Sequence, residues 1–169
     1  AVGRSVARVA ELLLASNPAL GGVDPVRPLG APADLRRTSG RIVAVFSPKG
    51  GVGKTVVATN VAAALAERCS EPVCLADVDL QYGDVAVALG VPPEHSIVDA
   101  AGAAGHDDPG VVRELMTRHR SGLLVLPGPR EPMMGLALDP AEVEALCTDL
   151  RTIAAVTVVD VPSVFDDAT

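Results

Sequence analysis

The sequence predicts an α/β fold, with a mainly parallel sheet flanked by helices. Three observations carry that expectation. Short and almost wholly apolar runs, such as Ile42–Phe46 and Pro72–Asp77, have the composition of strands buried on both faces of a sheet. Longer stretches with helical signals, Lys54–Arg68 and Asp139–Leu150, lie between such runs. The two kinds of segment alternate, as they do where parallel strands are joined by helical crossovers.

Taken in order, the elements begin with a helix over residues 1–15. Val2, Val6, Val9 and Leu13 recur at helical spacing, with Arg4, Arg8 and Glu11 off that face. Residues 16–40 carry Pro18, Pro25, Pro28 and Pro32 among several glycines and read as a linker. A lone helix cannot bury its own apolar stripe, so it either docks on the main body or ends a domain lying upstream. The main body spans 41–169. Ile42–Phe46 is its first strand and Lys54–Arg68 its first helix. Pro72–Asp77 is the second strand; Ser96 can cap a short helix through Ala101, and Gly110–Arg118 suits another. Gly122–Leu126 is the third strand, closed by Pro127. Asp139 as N-cap and Pro140 at the first helical position start a helix that runs to about Leu150. Ile153–Asp160 is the fourth strand.

Composition narrows the function. With 169 residues, 49% hydrophobic and 21% charged, the chain can build a sizeable core, as one domain with an appendage. Aromatics are only 2%, which argues against a stacking platform for single-stranded nucleic acid. The longest uncharged stretches, Leu12–Val23 and Thr55–Ala66, are shorter than the roughly 18 residues that a membrane-spanning helix needs. The first fifteen residues carry arginines in an amphipathic pattern without a cleavage site, unlike a signal peptide. The net charge is −7, and the acids are concentrated after residue 40, so the main body is a poor nonspecific binder of nucleic-acid phosphates. Cys69, Cys74 and Cys147 form no C-x-x-C pair and are expected as free thiols of a cytoplasmic protein. His95, His106 and His119 lack metal-ligand spacing.

The segment Ser47-Pro48-Lys49-Gly50-Gly51-Val52-Gly53-Lys54-Thr55 lies between an expected buried strand and an expected helix, the setting a phosphate-binding loop requires. Glycines let the backbone turn tightly and aim its N–H groups inward. The following helix adds the positive end of its dipole. Lys54 can reach the β- and γ-phosphates, and the Thr55 hydroxyl can ligate Mg²⁺. Twelve of the fourteen basic residues are Arg, and the only two lysines are Lys49 and Lys54. A compact ammonium fits inside such a loop where a planar guanidinium does not. Two acidic segments complete the pattern. Asp77 and Asp79 follow the second strand, and strand alternation would put them on one side, at the sheet edge where phosphates sit. Asp160 ends the apolar run Val158-Val159 and suits a carboxylate that binds Mg²⁺ through water.

The loop departs from G-x-x-x-x-G-K-[ST], because Pro48 stands where the first glycine would be. It resembles the deviant Walker A motif K-G-G-x-G-K-T of the ParA/MinD superfamily of ATPases. The resemblance implies a P-loop NTPase fold that binds ATP or ADP with Mg²⁺. Its nucleotide site would comprise Lys49, Gly50, Gly51, Val52, Gly53, Lys54, Thr55 and Val56. It implies a homodimer that sandwiches two ATP molecules, with Lys49 reaching the partner's nucleotide. Asp79 would orient the attacking water and hold the Mg²⁺ shell with Thr55 and Asp160, and Asp77 would be supportive. The catalytic set is then Lys49, Lys54 and Asp79.

The run Asp77-Val78-Asp79-Leu80-Gln81-Tyr82-Gly83-Asp84-Val85-Ala86 is more particular. It is similar to the CpaE/TadZ group of Flp pilus assembly ATPases, and some actinobacterial septum-site proteins look alike. In that group a receiver-like domain precedes the ATPase, which would make residues 1–15 the remnant of the receiver's last helix. Such ATPase domains continue past the equivalent of Thr169, with the adenine contacts supplied there, so the chain is expected to be the N-terminal part of one. The function implied is a weakly hydrolysing switch that positions pilus or secretion machinery, recruited to the membrane or cell pole by its partners. A partitioning or septum-site ATPase is the alternative within the superfamily; the acidic body and Leu80-Gln81, in place of Pro-Gln, lean against DNA binding. A nucleotide-regulated scaffold without turnover is the alternative outside it.

Overall fold

The computed structural model describes residues 40–106, 108–135 and 138–163. The expected helix over 1–15 and the linker up to residue 39 lie outside the described residues. Five strands form one sheet: β1 (Arg41–Val45), β2 (Val73–Asp77), β3 (Thr117–Arg118), β4 (Leu124–Leu126) and β5 (Val156–Asp160). Their order is β1-β5-β2-β4-β3. Every pairing is parallel except that of β3 with β4. The helices are α1 (Lys54–Ala66), α2 (Val85–Leu89), α3 (Ile97–Ala103), α4 (Gly110–Glu114), α5 (Pro132–Gly135) and α6 (Pro140–Ile153). This is the expected α/β architecture.

Strand alternation divides the core into two layers. Val73 and Leu75 of β2 join Val156 and Val158 of β5 under the apolar face of α1, where Ala58, Val61, Ala62 and Leu65 are buried. Cys74 and Ala76 point the other way, toward Ile97 of α3 and Leu146 and Leu150 of α6. Because both faces of β2 and β5 are covered, all five residues of each are buried, and this is why these strands read as continuous apolar runs. Burial also pushes the Cys74 thiol up to about 12, against the Arg113 charge and a contact with Thr157 that lower it. Among the described residues all three cysteines are free.

β1 departs from the expectation of two buried faces. It pairs with β5 on one side and is an edge of the described sheet, with Ile42 38% exposed. Its apolar composition could not reveal that it has only one neighbour. The helix expected over Gly110–Arg118 also stops early, at Glu114. Met116 turns into the core, the backbone extends, and Thr117 and Arg118 pair antiparallel with Val125 and Leu124. The His119 N–H donates to the Leu123 carbonyl, and the Gly122 N–H to that of His119, closing the hairpin. The last helix is longer than expected and the last strand shorter, with Ile153 ending α6 and β5 starting at Val156. At the start of α6, Asp139 Oδ1 accepts from Ala141 N at 2.8 Å, and Glu142 Oε2 accepts from Asp139 N at 3.1 Å. The expected N-cap is therefore present, with its reciprocal partner.

Leu75 sits fully buried in the middle of β2, between α1 and the neighbouring strands. Leu75→Ala is expected to lower the unfolding free energy by about 2–5 kcal/mol, measured by urea denaturation at constant m-value.

Candidate phosphate-binding site

The C-terminal ends of β1, β5 and β2 lie side by side, because Val45 is in register with Asp160, and Asp160 with Asp77. The chain leaving β1 turns through residues 46–53 and enters α1 at Lys54. Two glycines make that turn, Gly51 at φ 70° and Gly53 at φ 88°, both in the left-handed region that other residues avoid. Gly53 is also the N-cap of α1, and its carbonyl accepts the Val57 N–H at 3.0 Å. Before the glycines, Ser47 Oγ accepts from Lys49 N at 3.2 Å, which folds the loop's first turn on itself.

The side chains distribute around this turn. Lys49, Gly50, Gly51, Val52 and Val56 are exposed on the outside, whereas Gly53, Lys54 and Thr55 are half-buried. Lys54 Nζ donates to Ser163 Oγ at 2.7 Å, a bond between the loop and the segment leaving β5. The Thr55 hydroxyl faces Asp160, which is 2% exposed. Burial raises the Asp160 pKa; the Thr55 contact and the Lys54 charge lower it, and the charges of Asp79 and Asp84 raise it again. One oxygen of this carboxylate, Oδ1, is buried with no hydrogen-bond partner. A buried acceptor left bare is costly, so its position beside Lys54 and Thr55 points to a donor or cation supplied from outside the chain.

The two carboxylates after β2 are not equivalent, and strand alternation does not relate them. The strand ends at Asp77, and Asp79 lies in the following loop. Asp77 is fully buried. Its Oδ1 accepts from Asp79 N and its Oδ2 from Val85 N, each at 3.1 Å, so one carboxylate pins both ends of the 78–85 loop. A Cβ on Gly83 would come within 2.5 Å of Asp77 Oδ2, which explains the glycine in Tyr82-Gly83-Asp84. Asp79 is half-buried, and its Oδ1 accepts from Tyr82 N at 3.0 Å. Asp77 thus shapes the loop, while Asp79 is carried by it.

Among the described residues no group of three or more His, Cys, Asp or Glu side chains could hold a metal ion unaided. A Mg²⁺ here would need the Thr55 hydroxyl, water and phosphate oxygens besides Asp160 and Asp79, which fits the reluctance of that ion to shed its waters. Sequence reasoning missed Ser163 as a member of the site, and it missed the Asp84 charge. Nothing in composition or spacing marks a serine three residues past Asp160 as a partner of Lys54. Gly83 and Gly128 also lie against Asp77 and Asp79, and the one sequence signal for them is a glycine in a loop that follows a strand.

A glycine turn at the end of a parallel strand, a lysine and threonine opening the next helix, and a bare buried carboxylate on the adjacent strand define a phosphate-binding domain of the P-loop type. Residues 43–157 match the CobQ/CobB/MinD/ParA nucleotide-binding domain family, and the chain belongs to that family. Antiactivator FleN of Pseudomonas aeruginosa is 44% identical over 59 residues, 35% of this chain and 21% of that protein. A ParA family ATPase from Chlorobium tepidum superposes with a TM-score of 0.71 at 23% identity, over 77% of this chain and 55% of that one, a likeness of fold. The septum site-determining protein MinD from Pyrococcus horikoshii, solved with Mg-ADP, superposes at 0.62 with 26% identity, over 76% of this chain and 51% of that one. The chain therefore spans about half the length of these solved relatives and about a fifth of the curated one.

Burial holds the Asp77 carboxyl up at about 7; the Val85 N–H bond lowers it, the Asp160 charge raises it, the Asp79 N–H lowers it and the Asp79 charge raises it. A carboxyl that keeps its proton longer in the folded state than in the unfolded one makes stability fall as pH rises between the unfolded pKa near 3.8 and about 7. Asp77→Asn is expected to flatten that part of the profile of Tm against pH. Equal slopes in the two proteins would show that Asp77 does not titrate in this window.

Proposed function

We propose that the chain carries the phosphate-binding half of an ATP-dependent switch of the ParA/MinD type, weakly hydrolysing, that positions pilus or secretion machinery. The observation that carries this is the convergence of Lys54, Thr55 and the bare Asp160 oxygen on one side of the glycine turn, with Asp79 beside them. Polyphosphate is the ligand that answers all of these features together: anionic oxygens for the ammonium and the backbone N–H groups, and a bound Mg²⁺ for the carboxylate and threonine. The Mg-ADP bound by the Pyrococcus horikoshii MinD supports ADP or ATP with Mg²⁺ as the bound species here.

In this reading the N–H groups of Gly50, Gly51, Val52 and Gly53 and the start of α1, including Val56, surround the phosphates, and Lys54 offsets their charge. Thr55, Asp160 and Asp79 would hold a Mg²⁺, which when bound would supply neutralisation of phosphate charge. Asp79 orients the water that attacks the γ-phosphorus; the bond to the β,γ-bridging oxygen breaks, ADP leaves, and the water's protons pass to the phosphate released and to solvent. The Asp77 carboxylate at the end of β2 holds the Asp79 backbone N–H, and the Tyr82 N–H holds the Asp79 carboxylate, which together position this side chain. Lys49 stands exposed at the loop's outer edge, the right place for an ammonium that acts on a partner subunit's nucleotide in an ATP-dependent homodimer. The deviant Walker A reading rests on Lys49 and Pro48, and the pilus-assembly reading on the Asp77–Ala86 run, where Leu80 and Val85 pack inward while Tyr82 is 78% exposed. No helix among the described residues is long and apolar enough to cross a membrane. Cytoplasmic placement, with recruitment to a membrane or pole by partner proteins, is part of the same reading and rests on the resemblance of the Asp77–Ala86 run.

Lys54→Ala should weaken MgATP binding by at least tenfold in isothermal titration calorimetry, since it removes the ammonium at the phosphates. Unchanged affinity would sink the phosphate-loop assignment. Lys49→Ala has a different expected outcome: nucleotide binding by the monomer is spared, and ATP-dependent dimerisation, followed by light scattering, is lost. A Lys49→Ala protein that dimerises like the wild type would replace the deviant-motif reading with an ordinary monomeric P-loop.

A further inference from the structure

The segment leaving β5 reaches back into the phosphate loop through one side chain. Ser163 Oγ accepts from Lys54 Nζ at 2.7 Å across 109 positions of sequence, in a half-buried setting. The same oxygen lies 4.0 Å from where a Cβ on Gly50 would be, so it faces the loop near its beginning as well as its end. The segment itself is anchored: Val161 N donates to the Val45 carbonyl at 3.3 Å, tying the exit of β5 to the last residue of β1. Ser163 is thus presented from a braced backbone rather than from a loose tail.

A lysine side chain carries about 2 kcal/mol of rotamer entropy, and a ligand that recruits a freely rotating ammonium must order it. An ammonium held beforehand at the mouth of the loop spares the ligand part of that cost. The ammonium has three N–H donors. Ser163 takes one, which leaves two for phosphate oxygens and fixes the direction in which they point.

We propose that Ser163 is a positioning residue for Lys54, so that the loop's affinity for a nucleotide polyphosphate is set in part from the segment leaving β5. The proposal rests on the nucleotide reading of the loop given above. It assigns Ser163 no contact with the reacting atoms. A hydroxyl that only covered the half-buried lysine would alter its environment in the free protein but would leave the strength of binding unchanged.

The chain's lysine content makes the test direct. Lys49 and Lys54 are its only lysines, so ¹³C-labelled lysine gives two ε-methylene signals. Ser163→Ala is expected to shift the Lys54 signal, assigned with Lys54→Arg, and to leave the Lys49 signal in place. Ser163→Thr, which keeps the hydroxyl, should leave both near their wild-type positions. Titration with MgADP should then show binding weakened about fivefold to tenfold in Ser163→Ala, the size of one ordinary hydrogen bond, and restored in Ser163→Thr. An unmoved Lys54 signal, a shift of both signals together, or equal MgADP affinity in wild type and Ser163→Ala would each overturn the proposal. A wild-type chain whose lysine signals ignore MgADP would overturn the nucleotide reading itself, and the affinity claim with it, whatever Ser163→Ala does to the free protein.

Discussion

The structure of the site depends on one constraint, the parallel register that sets Val45, Asp160 and Asp77 abreast at the ends of β1, β5 and β2. Neighbouring strands lie about 4.8 Å apart, so this register puts two buried carboxylates on adjacent strands. Two such groups cannot both stay ionised without strong compensation, and each raises or is raised by charges close by. The chain resolves the conflict by giving them different partners. Asp77 turns to backbone N–H groups of its own loop, and Asp160 turns to Thr55 and Lys54 at the start of α1. The shape of the 78–85 loop and the bare oxygen of Asp160 both follow from that division.

The same register explains why the phosphate loop can be rigid without much side-chain support. α1 is held to the sheet by its buried face, Ala58, Val61, Ala62 and Leu65, which lies over β2 and β5. The helix start is therefore fixed from below, and the glycine turn has only to connect two fixed points, the end of β1 and the first residue of α1. Thr59 Oγ1 donates to the Thr55 carbonyl at 2.7 Å, an added bond within the first turn, and the Thr55 side chain faces Asp160. Rigidity in the scaffold and unfilled valence at the rim come from the same packing.

Much of this was legible in the sequence because both signals are local. A strand covered on both faces must be apolar throughout, and β2 and β5 are. A backbone that cradles anions needs left-handed turns, and glycines at 51 and 53 provide them. What was not legible depends on pairing. Whether a strand has one neighbour or two decides the exposure of Ile42, and no residue of β1 encodes it. The two-residue β3 exists only because β4 offers it an edge, so Gly110–Arg118 reads as one helix until the sheet is in view. Asp79 was expected to share a face with Asp77 by alternation, but alternation stops where the strand stops, and the N–H of Asp79 is used to satisfy the carboxylate before it. Ser163 escapes local reasoning altogether, since its partner lies 109 positions away.

These contacts also bound what can move. The sheet and the helices on it satisfy one another, with β5 paired on both sides, to β1 and β2, and a capped start on α6. The open terms are confined to side chains and short segments at the rim: the Lys54 ammonium shared with Ser163, the unpaired Asp160 oxygen, and the 78–85 loop suspended from Asp77. A ligand can shift an equilibrium only by interacting differently with its two sides. The 78–85 loop and the segment leaving β5 are the two stretches whose anchors, Asp77 and Ser163, lie at this rim. A switch built on this fold would be read out through those two stretches, while the register that holds Asp160 between them stays the same.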